Sequence, residues 1–389
     1  MSYLTEERRM LQEAAREFAM REVLPLANKL DPERGEIPES LMEQLAEMGY
    51  LGIVIPEEYG GLGLGCFEYC LVTEELSRAW MSVGSIIRSC TFNTLFPLSA
   101  LNEEQLERIA PRLANGEYRG AFSMSEPGVG SDAAGISCRA RREGNSWVLN
   151  GNKYWCTYAD QADFIIVMAR TDPEIDPAHR HRGISAILVD KPRGGFPPEI
   201  HASTIPKIGY FGWKTFELAF DNLRVPIENL LGKEGQGFYM VSAGLEIGRA
   251  HTAARAVGVA RGALEDASAY CLERKQFGQP IGEFQAIRFK IAHMAAEIEA
   301  NRQLMYSVCD TIDQGERCDL EASMAKYMAT EMAERVTSEG LQIHGGAGYT
   351  TLTAAERYWR DARLTKIFEG TSEIQLRIIS DRILGKSGQ

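Results

Sequence analysis

Apolar periodicity changes twice along this chain, from helical to alternating and back to helical, and this order limits the fold more than any other feature. Segregated runs of helices and strands suit an α+β protein of separate domains and argue against a wound α/β sheet. Up to residue 117 the pattern is helical. Thr5 can cap a helix whose first turn holds Glu6 and Glu7, the charges a helix dipole favours there, with Leu11, Ala15 and Phe18 following at helical spacing. A second helix opens with Pro38 at its first position, carries Leu41, Leu45 and Met48, and stops at Gly49. Gly60 to Gly63 is a loop, and residues 67–110 return to helix.

Residues 118–228 read as a β domain. Gly120–Ser125, Asp163–Arg170 and Gly183–Asp190 are strand candidates. Ser137–Arg142 and Trp147–Leu149 form a hairpin turned at Gly144-Asn145, and Asn150-Gly151 signals another turn. Phe216, Leu218 and Phe220 alternate with polar or small residues, as in a half-buried strand. Residues 229–389 regain the helical period, most clearly at Phe284, Ile287, Ile291, Met294 and Ile298, and predict a helix bundle. In this setting Gly128-Val129-Gly130 is no dinucleotide-binding motif, because no third glycine follows and no long helix opens.

A length of 389 residues allows two or three domains, and a net charge of −12 argues against nucleic acid as a partner. No apolar run approaches the ~20 residues that span a bilayer. The start, Met1 to Glu7, has neither a secretory signal nor the basic character of a transit peptide. The expected location is cytoplasmic, or the mitochondrial matrix if a presequence has been removed. Eight scattered cysteines include Cys66 and Cys70 but no second pair to complete a zinc site, so no metal is expected and the thiols read as small apolar groups.

Five segments carry candidate chemistry. Met124 to Asp132 is a glycine-rich turn at a strand end, flanked by Ser125 and Ser131, where backbone amides can approach a ligand. Trp155-Cys156-Thr157 offers a flat face and a hydroxyl, although taken alone Trp155 reads as a core residue. Glu273 to Gln285 lies between two long helices and brings Arg274 and Lys275, suited to a pyrophosphate. Gln342 to Tyr349 is a glycine cluster at a helix end, in which His344 reads as structural. Ile367 to Gln375 sets Glu369 just before a helix that Thr371 or Ser372 can cap, and an apolar wall there would make Glu369 a better base.

Together, in order and spacing, these segments resemble the acyl-CoA dehydrogenase family, from the Pro56 to Gly61 loop to Ile383 and most densely from Glu356 to Gln375. The resemblance implies an N-terminal helical domain, a middle β domain and a C-terminal four-helix bundle, with FAD between the last two. It assigns cofactor contacts to Phe122, Met124, Ser125, Gly130, Ser131, Trp155 and Thr157, and to Thr371 and Glu373. It gives Arg274, Phe277, Gln285, Gln342, Gly345 and Gly346 to the adenine half, across a subunit boundary, so a homo-oligomer, commonly a dimer of dimers, completes each site. Ser131, Glu246, Arg249 and Gly370 match acyl-CoA contacts, and Glu369 matches the base that removes the α proton of the thioester. Electrons would pass to an electron-transferring flavoprotein.

Some members of the family carry the base on a bundle helix instead, but the matching position here is Gly248, which leaves Glu369 alone and leaves room for a short or branched acyl group. Arg88, on the helix 85–91 expected at the acyl pocket, would suit a carboxylate-bearing acyl group; glutaryl-CoA dehydrogenases place an arginine one turn earlier, near Gly84. The stretch Lys207 to Thr215, with Phe211 and Trp213, is similar to methylsuccinyl-CoA dehydrogenases. Rival readings are an acyl-CoA oxidase, separated by peroxide formation under air, and a DNA-associated scaffold of the same fold, which the acidic charge disfavours.

Overall fold

The computed structural model describes residues 3–89 and 98–385. Thr5 accepts a hydrogen bond from the Arg8 N–H and starts α1 (Glu6–Phe18). The chain does not stop there: a π turn at Ala19–Val23 carries it into α2 (Leu24–Leu30), which the sequence pattern did not reveal. Pro38 is the extended cap of α3 (Glu39–Glu47) and not its first residue, and Gly49 ends this element with φ 72°. The helices α4 (Cys66–Ala79), α5 (Met81–Ser89) and α6 (Glu103–Ala114) follow.

Eight strands form one sheet: β1 (Gly120–Ser123), β2 (Arg139–Glu143), β3 (Ser146–Thr157), β4 (Phe164–Arg170), β5 (Ile184–Asp190), β6 (Ile200–Thr204), β7 (Thr215–Pro226) and β8 (Leu230–Leu231). Their order is β6-β7-β3-β2-β4-β5-β8, with β1 parallel to β4. The β2–β3 hairpin stands where the alternation put it. Asn150-Gly151 is not a turn, however, because β3 runs straight through it. Gly151, at φ 133°, sits so close to Cys138 that an added Cβ would lie 2.8 Å from its Cα, and the register against β7 shifts there. The glycine marks close backbone approach within a strand.

After α7 (Gly237–Ala243) come the long helices α8 (Leu245–Glu273), α9 (Gln285–Asp313) and α10 (Asp319–His344), then α11 (Ala355–Thr365) and α12 (Ser372–Leu384). A small hairpin, β9 (Lys275–Gln276) with β10 (Gln279–Pro280), joins α8 to α9. Helix α8 is buried on every side from Gly248 to Ala263, packed between α4, α9 and α10. A helix enclosed in this way shows no apolar stripe. Met294 and Ile298 of the predicted stripe are buried in α9, with Ile287 and Ile291 packed at the edge of the core.

Among the described residues, no helix is long and apolar enough to cross a membrane. The described cysteines are buried and unpaired, while Cys90 lies outside the described residues. The fold brings Cys309 of α9 to Cys66 and Cys70, with their sulfur atoms within 4.8 Å of one another. Burial raises the Cys70 and Cys309 thiols well above their ordinary range, which keeps them protonated.

Candidate active site

The site begins with two consecutive left-handed residues between α11 and α12. Glu369 has φ 57° and Gly370 φ 89°. A glutamate pays for that conformation, so its surroundings must hold it. Thr371 caps α12 by accepting from the Ile374 N–H at 3.3 Å. The Gly370 carbonyl accepts from Lys326 Nζ at 2.7 Å and from Gln375 Nε2 at 3.1 Å. Lys326 is buried on α10, and burial pushes it down to about 8, against the pull of Glu369 nearby.

The turn aims the Glu369 carboxylate at α8. Thr252 Oγ1 donates to its Oε2 at 2.7 Å, and Arg255 Nη2 donates to its Oε1 at 2.6 Å. The expected apolar wall is therefore corrected: a guanidinium, its side chain 1% exposed, faces the carboxylate and favours the charged form. Phe368 lies against the guanidinium instead, 4.5 Å from its ring centroid. For Arg255, burial opposes the charge but Glu369 more than offsets it, so the guanidinium stays above its ordinary range. Neither Thr252 nor Arg255 was singled out from sequence. The available signal was a charged residue inside an apolar helical run, since a buried charge needs a partner. Gly248, one turn before Thr252, is buried on the same helix.

Glu246 and Arg249 meet the start of α10: Cys318 Sγ lies 3.8 Å from a Glu246 carboxylate oxygen, and Arg249 Nη1 donates to the Asp319 carbonyl at 3.5 Å. Burial lowers the Arg249 guanidinium. Arg88 belongs to α5, but its side chain lies outside the described residues, as do Cys90 and Thr91.

The glycine-rich turn is pinned from beneath. The Glu126 carboxylate accepts from the Ser137 and Cys138 N–H groups and from Lys153 Nζ at 2.9 Å, and Lys153 also donates to the Met124 carbonyl. Pairing with Lys153 and these amides outweighs burial and holds Glu126 below its usual range. Phe122, Met124 and Ser125 line this segment half-buried, and Gly130 and Ser131 are exposed. Between Lys153 and Cys156 the β3–β7 register slips by one residue. Such a bulge re-aims a side chain. Trp155, at φ 63° and 56% exposed, therefore faces outward and is not a core residue. The Thr157 hydroxyl meets that of Thr215 at 3.0 Å.

Arg274, Gln285, Gln342, Gly345, Gly346 and Glu373 are all exposed. Phe277 tips the β9–β10 hairpin at φ 52° and is 94% exposed. His344 is structural as expected: it is buried, stacked on Tyr270, with Nδ1 2.8 Å from the Gly340 carbonyl.

Three family models cover nearly the whole chain: the acyl-CoA dehydrogenase N-terminal domain at residues 5–117, the middle domain at 121–223 and the C-terminal domain at 235–384. The chain belongs to the acyl-CoA dehydrogenase family. An acyl-CoA dehydrogenase of Bacillus subtilis (strain 168) is 41% identical, covering 98% of this chain and 99% of the relative. The (2S)-methylsuccinyl-CoA dehydrogenase of Cereibacter sphaeroides is also 41% identical, over 98% of this chain and 70% of the relative. The glutaryl-CoA dehydrogenase–glutaryl-CoA complex superposes with a TM-score of 0.91 at 36% identity, covering 98% of this chain and 96% of the other.

Acyl-CoA dehydrogenases are FAD-dependent oxidoreductases, and this chain has groups that fit the cofactor. The outward Trp155 presents an exposed ring beside Tyr154, and around Gly128, Gly130, Gly345 and Gly346 there is open space where a Cβ would stand.

Proposed function

We propose that this acyl-CoA dehydrogenase removes the α proton of a short-chain, branched or dicarboxylic acyl-CoA with Glu369, giving the trans-2-enoyl thioester. The observation that carries this reading is the strained Glu369–Gly370 turn, which aims a carboxylate across α8 close to a position, Gly248, that lacks a side chain. Strain of this kind persists where function requires it. FAD, when bound, supplies the hydride acceptor for the β hydrogen. The chain's own work is placement. Glu369 takes the α proton, and the Gly370 N–H polarises the thioester carbonyl while Lys326 and Gln375 steady the Gly370 turn. Ser131, Glu246 and Arg249 hold the acyl-CoA. Phe122, Met124, Ser125, Gly130, Trp155 and Thr157 hold the flavin half of the cofactor, and Thr371 and Glu373 make further cofactor contacts.

Arg274, Phe277, Gln285, Gln342, Gly345 and Gly346 are assigned to a cofactor in the neighbouring subunit of a homo-oligomer. The exposed Phe277 ring, edge-on to Phe284 with ring centroids 6.0 Å apart, supports this as an aromatic pair rather than a single surface side chain. We assign domain limits at 117/118 and 228/229, and an electron-transferring flavoprotein as acceptor. The high identity to a methylsuccinyl-CoA dehydrogenase supports the short, branched, dicarboxylic end of the substrate range. The test is anaerobic bleaching of the bound flavin by acyl-CoA esters in the parent and in Glu369→Gln. The variant should stay yellow, bind ligand and reduce at least ~10²-fold more slowly. Reduction at the parental rate would remove Glu369 from the reaction.

A further inference from the structure

We propose that Arg255 is the specificity-determining residue for a second carboxylate on the substrate: it binds the far end of a short dicarboxylic acyl chain and, in doing so, releases Glu369 to act as base. The inference rests on Glu369 being that base.

Arg255 lies seven residues beyond Gly248 on α8, two helical turns along the same face. Its guanidinium is enclosed. Nη1 donates to Ser85 Oγ of α5 at 3.1 Å, and Nη2 donates to Thr252 Oγ1 at 3.0 Å and to Glu369 Oε1 at 2.6 Å. Nε is buried with no partner among the described residues. Nε and Nη2 form one edge of the guanidinium, which a carboxylate meets with two parallel bonds. Here that edge is half used, by a single oxygen of Glu369.

Among the described residues, Glu369 is also the one carboxylate bonded to this buried charge. A base held at 2.6 Å by an arginine is stabilised as the anion and so is a weaker proton acceptor. For a neutral acyl chain this arrangement is a handicap. A substrate carboxylate resolves it. It can take the Nε–Nη2 edge and satisfy the orphaned Nε–H. It also replaces Glu369 as counter-ion and brings a like charge beside Glu369, which favours proton uptake. Recognition of the acyl end and activation of the base then become one event.

The geometry limits chain length. The reacting Cα must lie roughly 3–3.5 Å from a Glu369 oxygen. Arg255 Nη2 is 2.6 Å from Glu369 Oε1, so Nη2 stands within about 6 Å of a Cα that meets this oxygen. Only a carboxylate a few bonds from Cα fits, as in methylsuccinyl or glutaryl thioesters. Phe368 against the guanidinium and Tyr210 edge-on to Phe368, with ring centroids 6.2 Å apart, help to shield this charge from water.

The experiment compares kcat/KM for glutaryl-CoA, its terminal methyl ester, methylsuccinyl-CoA and butyryl-CoA, in the holoenzyme and in Arg255→Gln and Arg255→Lys. The parent should prefer the free acid over its methyl ester at least ~100-fold in kcat/KM, through kcat as well as KM, because the ester neither binds the guanidinium nor releases the base. Arg255→Gln should collapse the acid-to-ester ratio at least tenfold, and Arg255→Lys should retain part of it. A ratio cancels any loss common to all substrates, so an equal fall with every ester would show that Arg255 only positions Glu369 and would overturn the proposal. If the variants fail to fold, the parent decides alone: equal kcat/KM for acid and methyl ester refutes it. Failure of the base assignment looks different, since Glu369→Gln would then reduce its flavin with every ester.

Discussion

Thr252 has one hydroxyl proton and two acceptors within reach: Glu369 Oε2 at 2.7 Å and the Gly248 carbonyl at 2.9 Å. It can therefore serve Glu369 in both protonation states. Toward the anion it donates. Once Glu369 carries the α proton, the new O–H can donate to Thr252, whose own proton turns to Gly248. Replacing Thr252 by valine keeps the shape and removes the hydroxyl. A bond to a charged acceptor contributes about 1.5–3 kcal/mol and one between neutral groups about 0.5–1.5 kcal/mol, so the anion loses about 1 kcal/mol more than the acid. At about 1.36 kcal/mol per pH unit, the acidic limb of the rate profile for flavin reduction should move up by roughly 0.7 unit. The assay is stopped-flow anaerobic reduction between pH 5 and pH 9 (roughly the span over which such limbs appear), with Thr252→Ser restoring the parental profile. An unmoved limb in Thr252→Val, or the same shift in Thr252→Ser, would refute the hydroxyl's role.

Trp155→Ala should weaken FAD binding roughly 3- to 10-fold in a fluorescence titration, the size of an aromatic pair, while leaving apoprotein stability within about 0.5 kcal/mol because the ring is already exposed. Lys326 titrates near 8 in the fold against an ordinary 10.5, so its contribution to stability is present above 10.5 and lost as pH falls through 8. Urea melts of the parent should accordingly gain up to about 3 kcal/mol over Lys326→Met between those limits, and parallel curves would exclude this. Phe277→Asp places a charge on the bare hairpin tip and should lower the mass seen by light scattering and reduce FAD retention together. An unchanged mass would remove Phe277 from the subunit contact.

The three-part order of the chain, the capping by Thr5, a cap at Thr371 or Ser372 (of which the structure uses Thr371), the β2–β3 hairpin and the position of Glu369 were legible in the sequence, because each depends on local spacing or on a cap within three residues. Three readings failed where local signals were ambiguous. Asn150-Gly151 resembles a turn, yet β7 and Cys138 hold it within a strand. Trp155 resembles core, yet a one-residue slip in pairing turns it out. Glu369 was expected beside apolar residues, but Arg255, 114 positions earlier, meets it.

Local patterning by itself determined most of the helices and strands, though not α2 or β6, and put Glu369 in the turn before α12. The tertiary structure alone decided what stands opposite that acid. Helix α8 is buried on all faces, so no amphipathic stripe marks which of its side chains points at the Glu369 turn. A buried guanidinium announces that it needs a counter-charge, but only the packing of α8 against the α11–α12 turn chooses the partner.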